Sequence, residues 1–131
     1  MHKLIQPAQD ARTLTQSVVQ ATHMLGMYQA ELARILHLTC SDIGELANAR
    51  RLLAPDTESW EQAVLFIRLY NWLYDAFSGD EAAIHHWLRA NNTLLNGTPL
   101  YLIVDHGQLA TVLTTVEEHH GIYSRRTHTT E

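Results

Sequence analysis

Hydrophobic side chains recur along this chain at spacings of three and four residues, which is the period of an α-helix with one buried side. The pattern predicts a first helix over residues 9–24, in which Leu14, Val18 and Ala21 share one face and which Gly26 ends. Few segments show the alternation of apolar and polar residues that marks a β-strand. The sequence therefore predicts an all-α fold.

Two short helices are predicted next, over residues 28–36 and 40–53, with a break of three residues between them. Thr39 or Ser41 is available as the N-cap of the second helix, because both carry a hydroxyl that can accept from an unpaired backbone N–H. Pro55 accounts for the end of that helix, since proline disfavours a helical conformation in the residue before it.

The apolar residues of these two helices match the pattern of a helix-turn-helix unit. Ala33 is small enough to let the second helix cross closely, and Leu38 is expected to fill the space beneath the turn. Ile43 and Leu46 then dock the second helix onto the first. In such a unit the outer residues of the second helix point toward the major groove of DNA.

The longest predicted helix covers residues 57–77 and carries two apolar stripes. One stripe consists of Trp60, Ala63, Val64, Ile67, Asn71 and Tyr74, and the other of Leu65, Phe66, Leu69, Trp72, Leu73 and Ala76. Together they are wider than the roughly 100° stripe of a helix with a single buried side. This helix is therefore expected to be the central helix of the domain, part of a subunit interface, or both.

Three shorter helices are predicted after it, over residues 81–90, 99–104 and 109–120. Pro99 suits the first position of the second of these, and Gly121 is placed to end the last. The chain is accordingly divided into residues 1–55, which hold the helix-turn-helix, residues 56–121, and a flexible polar tail over residues 122–131.

The composition is that of a folded protein of 131 residues, with 46% hydrophobic residues and no apolar run long enough to span a membrane. The N-terminus lacks the apolar core of a signal peptide. A single cysteine, Cys40, excludes an internal disulfide and suits a reducing compartment. We therefore expect a cytoplasmic protein.

The charge distribution limits the ways in which this chain could bind DNA. The net charge is −5, and residues 56–121 hold nine acidic residues against two arginines, which gives −7 for that part. Residues 22–55 sum to zero. A DNA-binding surface must then be small and local, and duplicated by dimerisation. The acidic surplus fits contact with a basic partner, although solubility alone would also explain it.

Candidate DNA contacts lie in and around the second short helix. The predicted set is Gln29, Thr39, Ser41, Asp42, Glu45, Arg50 and Arg51. In this interpretation Ser41 and Asp42 face base edges, while Arg50, Arg51 and Arg34 meet phosphates. A carboxylate can accept from a cytosine amino group but repels phosphate. The alternative is a helix-turn-helix kept only for packing or dimerisation.

No group of residues in the sequence indicates catalysis or metal binding. The adjacent pairs His85–His86 and His119–His120 point about 100° apart on a helix, so neither pair faces one ion easily. Cys40 has only His37 nearby as a base. The tryptophans and tyrosines recur at helical spacing, which is typical of core and interface positions. We predict no enzyme, no cofactor and no metal.

With these residues in view, the chain resembles the Xre/MbcA/ParS antitoxin family over about residues 20–121. The matching landmarks are QAELA at 29–33, RLLAP at 51–55, WE at 60–61, IRL at 67–69, WLR at 87–89, NN at 91–92, GTPL at 97–100 and the last helix from Gly107 to Val112. The chain departs from the pattern at His37, where a glycine is common, and in its acidic second helix.

The resemblance implies an Xre-like helix-turn-helix bundle followed by a helical domain that dimerises and binds a toxin. The implied partners are operator DNA, a second copy of the chain and a protein toxin, in much of the family a RES-domain protein that consumes NAD. The residues expected at the toxin-binding or dimer interface are Leu65, Leu69, Trp72, Trp87, Leu88, Asn91, Leu109 and Val112.

Two other functions remain open at this point. The chain could be a stand-alone protein-interaction module or dimer with a vestigial helix-turn-helix and no toxin. It could also be a repressor that senses a small molecule, which would require a pocket beneath the aromatic helix.

Overall fold

The computed structural model describes residues 10–119, and every regular element in that range is helical. The helices are α1 (Ala11–Met24), α2 (Gln29–Leu36), α3 (Cys40–Ala47), α4 (Glu58–Ala76), α5 (Glu81–Arg89), α6 (Pro99–Val104) and α7 (Leu109–Glu118). One isolated antiparallel bridge joins Asn92 to Gly97 in the loop before α6. The predicted all-α class is confirmed. Gly121 and the predicted tail lie outside the described residues.

Four helices begin at a side-chain cap. Asp10, Thr39, Thr57 and Asp80 each accept a hydrogen bond from the backbone N–H three residues later, at the starts of α1, α3, α4 and α5. Such caps satisfy a donor that has no partner inside the helix. Thr39 rather than Ser41 is thus the cap of α3. Pro99 occupies the first turn of α6, as its fixed φ favours.

The ends of α1, α2, α3 and α4 share one geometry, in which the residue after the last turn adopts the left-handed conformation. Those residues are Gly26, His37, Ala49 and Ser78, with φ values of 67°, 61°, 61° and 53°. At each end the next N–H donates back to a carbonyl in the last turn, which is the Schellman pattern. Only the first of the four is a glycine.

The end of α3 corrects the predicted helix over residues 40–53. The helix stops at Ala47, because the Ala49 N–H donates to Leu46 O and the Arg50 N–H donates to Glu45 O, 2.9 Å away. Ala49 then turns the chain away from the helix axis. Residues 50–54 are therefore not helical, and Pro55 is not the stop signal.

A single continuous core connects the two predicted parts of the chain. Helix α4 packs against α1, α2, α5 and α7, and α2 also packs against α6. The buried residues of α4 are Ala63, Phe66, Ile67, Leu69, Tyr70, Trp72, Leu73, Tyr74 and Ala76. Both predicted stripes contribute to this set, so α4 is the central helix of the fold.

Side chains from α5 complete the C-terminus of α1. The last carbonyls of a helix have no partner within it. Here the Arg89 Nη2 donates to Leu25 O at 3.0 Å and to Gly26 O at 2.9 Å, and His85 Nε2 lies 2.9 Å from Met24 O. These contacts fix α5 against the end of α1.

The segment between α3 and α4 is attached to α1 by one buried hydrogen bond. Leu53 is buried, and its N–H donates to the Oγ1 of Thr15 at 2.9 Å. Thr15 is itself buried in α1. The segment that follows α3 is therefore held against the same core as the helices around it.

Candidate nucleic-acid interface

Helices α2 and α3 form a packed pair joined by three residues. Leu32, Ala33 and Leu36 of α2 and Ile43 and Leu46 of α3 are all buried. Helix α3 also packs against α1, and Leu38 in the turn packs against the core, as the apolar pattern predicted. The pair is thus fixed in the molecule by its inner face, while its outer face remains exposed.

His37 holds the turn in the left-handed conformation. The Leu38 N–H donates to Ala33 O at 2.9 Å, which closes the end of α2. His37 Nδ1 lies 3.3 Å from Glu58 Oε1, and Ser59 Oγ donates to Leu36 O at 2.7 Å. The start of α4 therefore supports the turn, which compensates for the strain of a side chain at positive φ.

The outer face of α3 carries Ser41, Glu45 and Asn48, all of them exposed. Gly44 lies on the same face, and a Cβ placed on it would meet no atom within 4 Å. Cys40 is exposed at the start of the helix. A second molecule can therefore approach the backbone of α3 closely at its middle.

Asp42 is engaged inside the chain through both of its carboxylate oxygens. Its Oδ2 accepts from the Thr39 N–H at 3.0 Å, and the Asp42 N–H donates to Thr39 Oγ1 at 3.1 Å, so the two residues form a capping box. Its Oδ1 accepts from Arg51 Nη1 at 2.6 Å. Hydrogen bonds with the backbone and the side chain of Thr39 lower the pKa of the Asp42 carboxyl, and the charge of Arg51 lowers it further.

The three candidate arginines are in different surroundings. Arg51 is paired with Asp42, and its Nη1 lies 3.9 Å from Glu45 Oε1. Arg34 pairs with Asp105 at 2.6 Å, which joins α2 to the end of α6. Arg50 is exposed and has no ion pair among residues 10–119. The guanidinium of Arg51 is therefore the one held beside the first half of α3.

The structure brings four of the seven predicted DNA contacts together. Thr39, Asp42, Glu45 and Arg51 form one connected group at the start of α3. The other three, Gln29 at the first position of α2, Ser41 and Arg50, are exposed. No side-chain hydrogen bond within the described range joins them to that group; Arg50 meets it only through its backbone N–H, which donates to Glu45 O.

Most of the predicted interface residues are part of the core of a single chain. Leu69, Trp72, Trp87, Leu88, Leu109 and Val112 are all buried, and the two tryptophan rings lie 6.1 Å apart. Leu65 is half-buried and Asn91 is exposed. A partner that binds this side of the molecule would therefore meet the edges of these residues and not their full surfaces.

The fold leaves several large apolar side chains exposed, among them two of the tyrosines whose spacing is typical of core and interface positions. Tyr28 and Tyr101 are 75% and 59% exposed, and Leu52 and Leu94 are also exposed. Tyr101 lines a shallow groove of about 230 Å³ between α2 and α6, together with Ala30, Glu31, Arg34, Val104 and Asp105. The exposure of Tyr101 could have been predicted from the apolar pattern, because Leu100, Ile103 and Val104 define the buried face of α6 and Tyr101 falls outside it.

A polar contact joins two tyrosines of α4 to α5. The rings of Tyr70 and Tyr74 lie 4.8 Å apart, and the Tyr74 hydroxyl donates to Glu81 Oε2 at 3.2 Å. Burial raises the pKa of both tyrosines. Both hydroxyls therefore stay protonated, and this contact stabilises the packing of α4 against α5.

Neither a metal cluster nor a membrane helix is found in the described part of the chain. Among residues 10–119 no group of three or more His, Cys, Asp or Glu side chains is arranged to hold a metal ion. None of the helices there combines the length and apolar character needed to cross a bilayer. No protein-family model matches the chain, and no curated protein is significantly similar to it.

Proposed function

We propose that this protein is an antitoxin-type regulator, which binds operator DNA through a helix-turn-helix formed by α2 and α3 and binds a partner protein through residues 56–121. The observation that supports DNA binding is the packed α2–α3 pair. Two helices of eight residues each are joined by three residues and docked through Leu36, Ile43 and Leu46, with the outer face of α3 uncovered. These are the parts that a recognition helix requires.

The charges of this surface predict that a monomer binds DNA weakly and that a homodimer binds it more tightly. Arg50 and Arg51 lie in the turn and segment that follow α3, whereas Asp42 and Glu45 on the helix oppose them in charge. Each phosphate that is neutralised contributes about −0.9 to the slope of log affinity against log salt. Because a dimer doubles the number of contacts and reads two half-sites, we infer that the DNA-binding form is a homodimer.

The test of DNA binding compares two arginine variants on the DNA upstream of the gene. We expect fluorescence anisotropy to show affinity that falls steeply as salt rises. Arg50→Ala should weaken binding to all sequences and reduce the salt slope by about 1. Arg68→Ala is the matched control, since it removes the same charge from α4, where Arg68 pairs with Glu117. Binding that ignores salt, or equal effects of the two variants, would contradict the proposal.

Partner binding is supported by the resemblance and by the charge of residues 56–121. Their net charge of −7 favours a basic protein surface, such as the entrance of an enzyme that binds a phosphorylated substrate. We propose that the partner is a toxin encoded beside this gene. The resemblance implies that this toxin is a RES-domain protein. Copurification of the neighbouring gene product at a stoichiometric ratio tests this. A homodimer that retains no partner would count against it.

A protein-interaction module without DNA binding is the second candidate, and one observation favours it. Arg34 and Arg51 are both neutralised by carboxylates within the chain, at 2.6 Å in each case. That pairing leaves little free positive charge on the α2–α3 surface. This function predicts capture of a partner protein together with undetectable affinity for DNA at low salt.

A further inference from the structure

The geometry at the start of α3 points to Arg51 as the residue that reads bases, with Asp42 as the residue that positions it. This inference rests on the proposed DNA binding and adds to it a specific role for the acidic residues. The carboxylate of Asp42 would then bind an arginine of its own chain, and the arginine would contact the DNA. The acidic first turn of α3 would support DNA recognition and not oppose it.

Asp42 is engaged within its own chain. One carboxylate oxygen accepts from the Thr39 backbone at 3.0 Å, and the other accepts from Arg51 at 2.6 Å. Only 27% of the Asp42 side chain is exposed, against 44% of the Arg51 side chain. A base that approaches α3 from outside therefore meets the guanidinium more readily than the carboxylate.

Arg51 keeps N–H donors that its contacts with Asp42 and Glu45 do not use. A guanidinium carries five N–H donors in a rigid planar arrangement. The contacts to Asp42 and Glu45 both involve Nη1, and no partner is found for Nε or Nη2 among residues 10–119. Arginine that donates two hydrogen bonds to O6 and N7 of guanine is the commonest specific contact in the major groove. The free edge of Arg51 has the donors for that contact.

The contact with Asp42 also lowers the conformational entropy that Arg51 would lose on binding DNA. A free arginine loses conformational freedom when it binds, and a side chain held in advance loses less. The capping box fixes Asp42, and Asp42 fixes Nη1 of Arg51, so the guanidinium is already placed beside the first half of α3. Arg50, one residue earlier, is exposed and has no such support in the described range. Arg50 would therefore contribute only charge to DNA binding, whereas Arg51 would contribute charge and a guanidinium of fixed orientation.

The experiment selects binding sites for the full chain from a library of random duplex DNA. It then compares the native chain and four variants on the selected site and on a scrambled site. The measured quantity is the ratio of the two affinities. We expect Arg51→Ala to lower this ratio by about ten- to one-hundred-fold, as the loss of one bidentate base contact would. Arg50→Ala, the matched control, should weaken binding to both sites and leave the ratio unchanged.

The role of Asp42 is tested by Asp42→Asn, which keeps an oxygen to accept from the Thr39 N–H but removes the charge that holds Arg51. We expect a lower ratio, and no further loss when Asp42→Asn is added to Arg51→Ala. A purely repulsive carboxylate would instead give tighter binding to both DNAs in Asp42→Asn. A carboxylate that reads cytosine itself would give additive losses in the double variant. Either result would overturn the inference.

Circular dichroism of each variant at neutral pH shows whether α3 and its neighbours remain folded. If the native protein selects no sequence and binds no DNA, the proposed function fails and this inference fails with it. If it selects a sequence but Arg51→Ala and Arg50→Ala change the ratio equally, only the role of Arg51 is wrong. The two failures are therefore distinguishable.

Discussion

Gly44 is the residue whose presence the fold itself explains least. It lies in the middle of α3, where a glycine destabilises the helix by roughly 0.5–1 kcal/mol relative to alanine. Its φ is negative, and an added Cβ would meet nothing within 4 Å. Neither the backbone nor the packing of the chain requires a glycine here. Close approach of a partner to the outer face of α3 would supply the requirement.

We therefore expect Gly44→Ala to stabilise the protein by about 0.5–1 kcal/mol and to weaken DNA binding. Urea unfolding measures the first effect, and anisotropy with the selected DNA measures the second. Gly107→Ala is a useful control, because the space around Gly107 is also open but its φ is +63°, so alanine should destabilise there. Unchanged DNA affinity in Gly44→Ala would show that α3 is not approached at its middle.

Among the residues of the candidate site, the sequence limited the cap of α3 to Thr39 or Ser41 but did not predict the ion pair. Thr39 was recognisable as a hydroxyl before an apolar helical pattern. Asp42 and Arg51 are nine residues apart, which corresponds to about 13–14 Å along a continuous helix. They meet only because Ala49 adopts φ 61° and turns the chain back. An alanine gives no signal of that conformation, so the pairing could not be predicted from spacing.

At the scale of the elements, the predicted helices agree best where their ends carry a distinctive residue. The pattern placed α6 at residues 99–104, as observed, because Pro99 marks its start and Gly107 follows its end. It extended α3 to residue 53, six residues too far, because the end of the helix was expected just before Pro55. Leu53 is buried, but it belongs to a non-helical segment whose backbone is bonded to Thr15. Apolar periodicity identifies burial, whereas caps decide where a helix ends.

The contact between α5 and the end of α1 gives a prediction about stability. We expect Arg89→Ala to lower the free energy of unfolding by about 1–2 kcal/mol, because Leu25 O and Gly26 O would lose a charged donor. Thermal or urea unfolding followed by circular dichroism measures the change. Arg50→Ala should alter stability by no more than about 0.5 kcal/mol, since Arg50 is exposed. Equal effects would mean that the bonds to α1 contribute nothing measurable.

The caps of α1 and α3 predict how stability depends on acid. Hydrogen bonds from the backbone lower the pKa of Asp10 and Asp42 below the usual 3.8. Each cap therefore contributes fully above about pH 4, and its contribution is lost as the pH falls through the lowered pKa. We expect Asp42→Asn to make urea stability less dependent on pH in that acid range. Asp56→Asn, at an exposed carboxylate outside any cap, should keep the dependence of the native protein.

At the scale of the whole molecule, the boundary at residue 55 separates two groups of sequence motifs, but the helices on both sides of it share one hydrophobic core. Val18 of α1 and Leu36 of α2 belong to the same buried cluster as Phe66 of α4 and Val116 of α7. The resemblance to a two-part family predicted two functions, one for each side of that boundary. The resemblance could not show that helices from both sides of the boundary pack on α4, because a sequence motif does not indicate which other helices pack against it. Partner binding and DNA binding would then act on one shared core.

A shared core predicts one cooperative unfolding transition, which a single substitution in α1 can test. All three tryptophans lie in α4 and α5, so tryptophan fluorescence reports on the part after residue 55, whereas circular dichroism reports on all helices. Leu14 in α1 is fully buried, and we expect Leu14→Ala to cost about 2–5 kcal/mol. Since α1 packs on α4, the midpoints from both signals should fall together and by the same amount. Leu52→Ala, at an exposed leucine, is the control and should leave both midpoints nearly unchanged. If Leu14→Ala lowered the dichroism midpoint while the tryptophans unfolded as in the native protein, the two parts would be independent domains, and the coupling between them would have to come from the dimer.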